Sequence, residues 1–147
     1  VDREEWTVKF PPIVVKSYDD LYDGAIKIVG ISDDLPKVAQ CEKDTQEQFG
    51  DKVSAARSQP YYLDVTHPNA NKGFVVEYLS KLLTIPFDQI ATIGDQPNDV
   101  LMFKKSGLSI AMGNASPEVQ AQATKVTTSY EDEGFANAVE RFIFGKP

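Results

Sequence analysis

At 147 residues the chain has room for one ordinary domain or two small lobes, and its 41% apolar content supplies a core. Its net charge is −7, with acidic residues scattered and no basic stripe, which argues against a nucleic-acid partner. No apolar run reaches membrane-spanning length, so no membrane partner is expected. The single cysteine, Cys41, leaves no internal disulfide and fits a cytoplasmic setting; its plain reading is a small apolar residue on a helix.

Residues 1–23 are mixed. The charged start Val1-Asp2-Arg3-Glu4-Glu5-Trp6 lacks the apolar stretch of a signal peptide. The diproline Pro11-Pro12, the β-branched run Ile13-Val14-Val15 and a helix start at Ser17-Tyr18-Asp19-Asp20 follow. Residues 26–31 predict a strand. Ser32-Asp33-Asp34 supply capping oxygens for a helix over 35–49 that stops at Gly50. Strands over 53–57 and 61–66, separated by Ser58-Gln59-Pro60, predict an antiparallel hairpin. The first half therefore runs β-α-β-β.

At His67-Pro68-Asn69-Ala70-Asn71 the composition turns small and polar, which marks a hinge and divides the chain into 1–68 and 69–147. The second half alternates: an amphipathic helix over 72–83 with Phe74, Val75, Tyr78, Leu79 and Leu82 on one stripe, a strand over 89–93, and a helix over 98–106. A strand over 108–112, a helix over 117–123 with Pro at its first turn, a strand over 125–127 and a closing helix over 134–144 complete it. Such alternation predicts an α/β fold with a parallel sheet covered on both faces.

The residues with chemical potential sit on the loops after these strands. Ile93-Gly94-Asp95-Gln96-Pro97-Asn98-Asp99 puts two carboxylates and two carboxamides where a buried strand gives way to a helix, the ligand-binding edge of open α/β sheets. Two readings stand for it. Asp99 or Asn98 caps the following helix; or Asp95 and Asp99 flank a hard cation, for which Mg²⁺ is the fitting ion. Lys72 favours the second, because a lysine in the first helical turn opposes the macrodipole unless an anion is nearby. Together they point to metal-assisted chemistry on a phosphorylated substrate. Gly113-Asn114-Ala115-Ser116 makes the next turn on the same edge: Ser116 as helix cap, Gly113 allowing close passage of the acidic loop, Asn114 bracing Asp95 or a ligand. His67 reads as a hinge residue. Arg57, at a strand end, reads as solvated or as a substrate-anion contact.

Asn71-Lys72-Gly73, Ile93-Gly94-Asp95-Gln96-Pro97-Asn98-Asp99 and Ala111-Met112-Gly113-Asn114-Ala115, in that order after a β-α-β-β lobe, resemble the Cof-type branch of the haloacid dehalogenase (HAD) superfamily of phosphohydrolases. The resemblance runs from about residue 26 to the end. It implies a partial Rossmann-like HAD core over 69–147, preceded over 1–68 by part of an α+β cap domain that sets substrate specificity. It further implies Lys72 as the catalytic lysine on the phosphoryl group, Asp95 as the Mg²⁺ ligand, Asn98 on substrate phosphate and Asp99 in support of the metal shell. Arg57 or Tyr61-Tyr62 would face the substrate. The activity implied is hydrolysis of a small phosphorylated metabolite, a sugar phosphate or similar, through an aspartyl-phosphate.

One departure is large. The family's Asp-x-Asp-Gly, whose first aspartate attacks phosphorus and whose second protonates the leaving group, is missing, as is the Ser or Thr that holds the phosphoryl group on a following strand. The chain reads as a fragment that is inactive alone, because Lys72, Asp95 and Asp99 cannot replace a covalent nucleophile. Without the nucleophile's strand, 89–93 becomes a sheet edge that pairs with another copy or another chain. Two other classes remain: a non-catalytic module binding a phosphorylated ligand or a protein through the same fold, and a receiver-like phosphoacceptor, which the β-α-β-β lobe and the motif order disfavour.

Overall fold

The computed structural model describes residues 5–6, 9–19 and 23–145. The reading of Val1 to Glu4 lies outside these residues, as does the continuation of the helix expected from Ser17, beginning at Asp20. Ser17 and Asp19 form a local turn in which the Asp19 N–H donates to Ser17 Oγ at 3.2 Å.

Strand β1 (Ile28–Ile31) leads into helix α1 (Leu35–Phe49). The Asp34 carboxylate accepts the Lys37 N–H at 3.1 Å and starts α1. Gly50, at φ +54°, ends it in a backbone region that suits glycine. Strands β2 (Ser54–Gln59) and β3 (Tyr62–Thr66) form the expected hairpin, and β1 pairs with the far side of β3 to give an antiparallel sheet in the order β1-β3-β2. Alternation sets the use of its faces. Ala55 and Leu63 pack on Val38 of α1 with Val53 and Val65 around them, while Ser54, Ala56, Asp64 and Thr66 share the opposite face through the registers Ala56↔Asp64 and Ser54↔Thr66.

Helix α2 (Lys72–Leu83) begins where the Asn71 carboxamide accepts the Phe74 N–H at 2.9 Å. Its packed side differs from the expected one. The stripe Phe74, Val75, Tyr78, Leu79, Leu82 stays open, with Leu82 63% exposed. The buried residue is Gly73, where a Cβ would come 2.6 Å from the Leu101 carbonyl oxygen. Helix α2 thus meets α3 (Val100–Phe103) backbone to backbone. Apolar periodicity identified the helix, but the bare glycine decided which side packs.

The second sheet is parallel, in the order β4-β5-β6: β4 (Ala91–Gly94), β5 (Leu108–Ala111) and β6 (Lys125–Val126). Ile110 and Ala111 are fully buried at its centre, and Phe103, Ala115 and Val119 close a core beside Ala111. Among the described residues β4 has β5 as its one pairing neighbour. A 3-10 turn over Phe87–Gln89 delays the strand to Ala91. The helix expected over 98–106 is shorter: a 3-10 turn over Pro97–Asp99, then α3. The chain leaves α3 early because the Gly107 N–H must reach Phe87 O (2.6 Å). Helix α4 (Pro117–Gln120) is similarly short, and the closing segment runs as α5 (Gly134–Ala138) and then a wider π turn over Val139–Ile143. Among the described residues no helix is long and apolar enough to cross a membrane.

Candidate phosphoryl site

The acidic loop is organised by Asp99, which is 2% exposed. Its Oδ2 accepts the N–H groups of Asp95 (2.8 Å) and Gln96 (3.0 Å), and its Oδ1 pairs with Lys72 Nζ. Asp99 completes a capping box with Gln96 at the Pro97–Asp99 turn and is also the counter-ion of the lysine. Gly94 makes the fold-back possible, since a Cβ there would stand 2.5 Å from Asp99 Cβ, Cγ and Oδ2.

Lys72 keeps about half its side chain in solvent, 51% exposed, so its ammonium holds further donors free beside Asp99. Asp95 faces the same depression. Its Oδ2 accepts from Asn114 Nδ2 at 3.0 Å and from Gln96 Nε2 at 3.4 Å, and Asn114 is itself fixed because its Oδ1 accepts the Tyr130 N–H at 3.2 Å. Lys72, Asp95, Asp99, Asn114 and Tyr130 line one open depression of about 570 Å³ at the carboxyl end of the parallel sheet.

The donor set fits Mg²⁺, which typically takes one or two protein carboxylates and fills its shell with water and phosphate oxygens. Among the described residues Asp95 Oδ1 has no hydrogen bond, which leaves it free as a ligand. Asp99, with three donors already on its two oxygens, braces the loop and the lysine. No group of three or more His, Cys, Asp or Glu side chains gathers as a ready-made metal cage among the described residues. The set therefore suits an ion that arrives with phosphate better than a permanently caged one.

Asn98 lines a second cleft of about 330 Å³, between the open face of the antiparallel sheet and the start of α2, with Lys72, Asn71, Lys27, Ser54 and Asp64. Its Oδ1 is buried without a hydrogen-bond partner, an acceptor unsatisfied within the protein.

Lys72, Asp95, Asp99 and Asn114 are thus brought together, with Asn98 adjacent across Lys72. Arg57 is not among them. Its Nε donates to Glu42 Oε2 at 2.8 Å and its backbone N–H to Oε1 at 2.9 Å, which ties it to α1 on the other face of the sheet. Tyr61 and Tyr62 pack edge to face, with ring centroids 4.5 Å apart, and line neither depression. His67 Nδ1 accepts the Asn69 N–H at 3.2 Å as a turn brace, and Ser116 caps α4 as expected. Gly113 serves a different close approach from the expected one: a Cβ there would meet Ser129 N at 2.7 Å, not the acidic loop. Sequence reasoning missed the structural roles of Gly73 and Gly94, though each stands beside a singled-out charge. It also missed Lys27, Ser54 and Asp64, which only the hairpin register could have placed on one face.

A family profile described as haloacid dehalogenase-like hydrolase matches residues 2–139. The protein YxeH of Bacillus subtilis is 33% identical over 109 residues, covering 74% of this chain and 39% of its own length. The B. subtilis 5-amino-6-(5-phospho-D-ribitylamino)uracil phosphatase YwtE is 28% identical over 131 residues, covering 87% of this chain and 45% of its own. A solved haloacid dehalogenase-like hydrolase from B. subtilis superposes with a TM-score of 0.77 at 24% identity, over 93% of this chain and 49% of that one. The chain spans about half the length, or less, of these relatives.

Proposed function

This chain belongs to the haloacid dehalogenase-like hydrolases, in the Cof-type branch of that superfamily, and from that membership we propose that it carries the lysine and metal half of a Mg²⁺-dependent phosphatase acting on a small phosphorylated metabolite. The observation that carries the reading is the convergence of Lys72, Asp95, Asp99 and Asn114 on one depression beyond the parallel strands. YwtE, named for hydrolysing a small phosphate ester, supports the substrate class.

In this reading each residue has a definite task. The Lys72 ammonium, steered by Asp99, donates to the phosphoryl oxygens and offsets charge as the ester bond breaks. Asn114 and Gln96 hold Asp95 so that Oδ1 faces the depression. Asn98 meets the phosphate from the adjoining cleft. Mg²⁺, when bound, supplies Lewis-acid neutralisation of the phosphoryl oxygens. The sequence contains no Asp-x-Asp pair, so the attacking carboxylate, and the aspartyl-phosphate formed on it, belong to residues other than these 147. The isolated chain binds phosphate without turning over esters. A cytoplasmic location belongs to the same reading; nucleic acid and membrane do not enter it.

Calorimetric titration of the 147-residue chain with inorganic phosphate, with and without Mg²⁺, tests this. Binding should require Mg²⁺, weaken about tenfold or more in Asp95→Asn and fall away in Lys72→Met. Binding indifferent to Mg²⁺ and to Asp95→Asn would instead favour the interaction-module class. Brisk hydrolysis of a generic phosphomonoester by the isolated chain would overturn the absence of a nucleophile.

A pairing role for β4 rests on its one-sided ladder. The free side would take a strand from a second copy or another chain. Solution mass and amide exchange over 91–94 test it, and a monomer with fully protected amides there would refute it.

A further inference from the structure

Asp95 is held by a chain of contacts that begins well away from the acidic loop. The segment 127–133, between β6 and α5, makes a 3-10 turn over Tyr130–Asp132 that Asn137 of α5 pins from one side. Asn137 Nδ2 donates to Thr128 Oγ1 and to Asp132 O, each at 2.8 Å, and Thr128 Oγ1 donates to Asp132 O at 2.9 Å. Gly134 lets α5 start this close, because a Cβ there would stand 2.1 Å from Thr128 O. The segment then meets the Gly113–Asn114 turn at two points. Thr128 O accepts the Gly113 N–H at 3.0 Å, and the Tyr130 N–H donates to Asn114 Oδ1 at 3.2 Å.

The second contact fixes which way round the Asn114 carboxamide sits. A backbone N–H can only donate, so the atom facing Tyr130 is the carbonyl oxygen and the amide nitrogen faces Asp95. Asn114 Nδ2 donates to Asp95 Oδ2 at 3.0 Å, Gln96 Nε2 adds a longer contact to the same oxygen at 3.4 Å, and Oδ1 has no hydrogen bond among the described residues. The two oxygens of Asp95 are therefore unequal, one engaged and one available. Mg²⁺ has a small, near-ideal octahedral shell, whereas the larger and looser shell of Ca²⁺ also takes both oxygens of one carboxylate.

We infer that this series of contacts selects Mg²⁺ over Ca²⁺ at Asp95: by keeping Oδ2 engaged, it withholds the two-oxygen mode from the larger ion. Asn137 is the positioning residue at the far end. It lines no part of the phosphoryl depression and acts through the 127–133 segment and Asn114. The inference rests on the reading of Asp95 as a metal ligand, but it concerns the choice of ion and not the capacity to bind phosphate.

The test is calorimetric titration of the 147-residue chain with glycerol 2-phosphate, once in excess Mg²⁺ and once in excess Ca²⁺. Wild type should bind about tenfold more tightly in Mg²⁺. Asn114→Ala releases Oδ2, so the Ca²⁺-to-Mg²⁺ ratio of dissociation constants should fall about tenfold, the effect of losing one group that orients a metal ligand. Asn137→Ala, at an exposed position on α5, should lower the ratio about threefold and speed deuterium exchange at the Tyr130 amide. Circular dichroism checks that both variants keep the fold. A merely structural role would weaken binding equally in the two ions. An unchanged ratio in Asn114→Ala, or a wild type indifferent to the ion, therefore overturns the selection. A wild-type ratio and wild-type Tyr130 exchange in Asn137→Ala overturn its assignment as a positioning residue. A wild type that fails to bind inorganic phosphate in Mg²⁺ overturns the phosphatase reading and this inference with it.

Discussion

Replacing Asp99 with Asn tests the organisation of the acidic loop more sharply than any change at Asp95. The substitution keeps the volume and one oxygen, and it removes the charge. Asp99 accepts from two backbone N–H groups and from the Lys72 ammonium, with its own side chain 3% exposed. The ion pair contributes little by itself: Lys72 is half in water, so its loss costs about 1 kcal/mol, below the ~3–5 of a fully buried pair. The two backbone bonds fall from charge-assisted to neutral strength, which costs about 1 kcal/mol each. The total is about 2–3 kcal/mol. At about 2–4 °C per kcal/mol for a chain of this size, Tm should fall by roughly 5–10 °C. Thermal unfolding followed by circular dichroism, in Mg²⁺-free buffer, measures it. A double-mutant cycle with Lys72→Met should then return a coupling of about 1 kcal/mol, since Lys72→Met breaks the ion pair only where Asp99 is still a carboxylate. An Asp99→Asn protein melting within a degree or two of wild type would refute the view that this carboxylate holds the loop.

Two further outcomes follow from the same geometry. Gly94→Ala places a methyl group 2.5 Å from Asp99 Cβ, Cγ and Oδ2, so the carboxylate must leave its three donors; stability should drop by about 2 kcal/mol or more, with loss of Mg²⁺-dependent phosphate binding. Gly30→Ala, whose new Cβ would meet Leu63 Cβ at an ordinary 3.6 Å, is the control, and equal urea midpoints for the two variants would refute the steric argument. Glu77 is held below the usual carboxylate range, first by hydrogen bonds from Lys81 and Lys105 and then by their charge. A carboxyl depressed in the folded state contributes stability that is present above its unfolded value, near 4.5, and lost as pH falls through its lower folded value. Glu77→Gln should therefore flatten the acid limb of the stability curve; urea midpoints that fall equally steeply in both proteins on acidification would contradict this.

What the sequence made legible was local. Helix α1 begins at Asp34 and ends at Gly50, and α2 begins at Asn71, because caps and a positive φ are set by single residues and need no distant partner. The acidic loop and its lysine were legible for a similar reason: charge at a strand end has few uses. What stayed hidden depends on contacts between distant segments. The inner side of α2 is set by Gly73 against Leu101, a backbone approach that hydrophobic patterning does not register. Arg57 looks like an anion contact until α1 brings Glu42 beside it. The brevity of α3 comes from the Gly107–Phe87 bond rather than from the propensities of residues 104–106.

The two walls of the Lys72 cleft are built from different materials, and this has an evolutionary consequence. On one side Gly73 sets Lys72 against the Leu101 backbone, and Gly94, in the neighbouring depression, makes room for the Asp99 side chain that pairs with it; a methyl group would clash at either. On the other, Ser54, Ala56 and Asp64 are side chains on the side of their sheet away from the α1 packing. The Lys72 wall is therefore intolerant of mutation, whereas the facing wall can exchange residues at little cost to folding. Such an asymmetry lets a lineage vary what the cleft accepts while the Lys72 side stays unchanged.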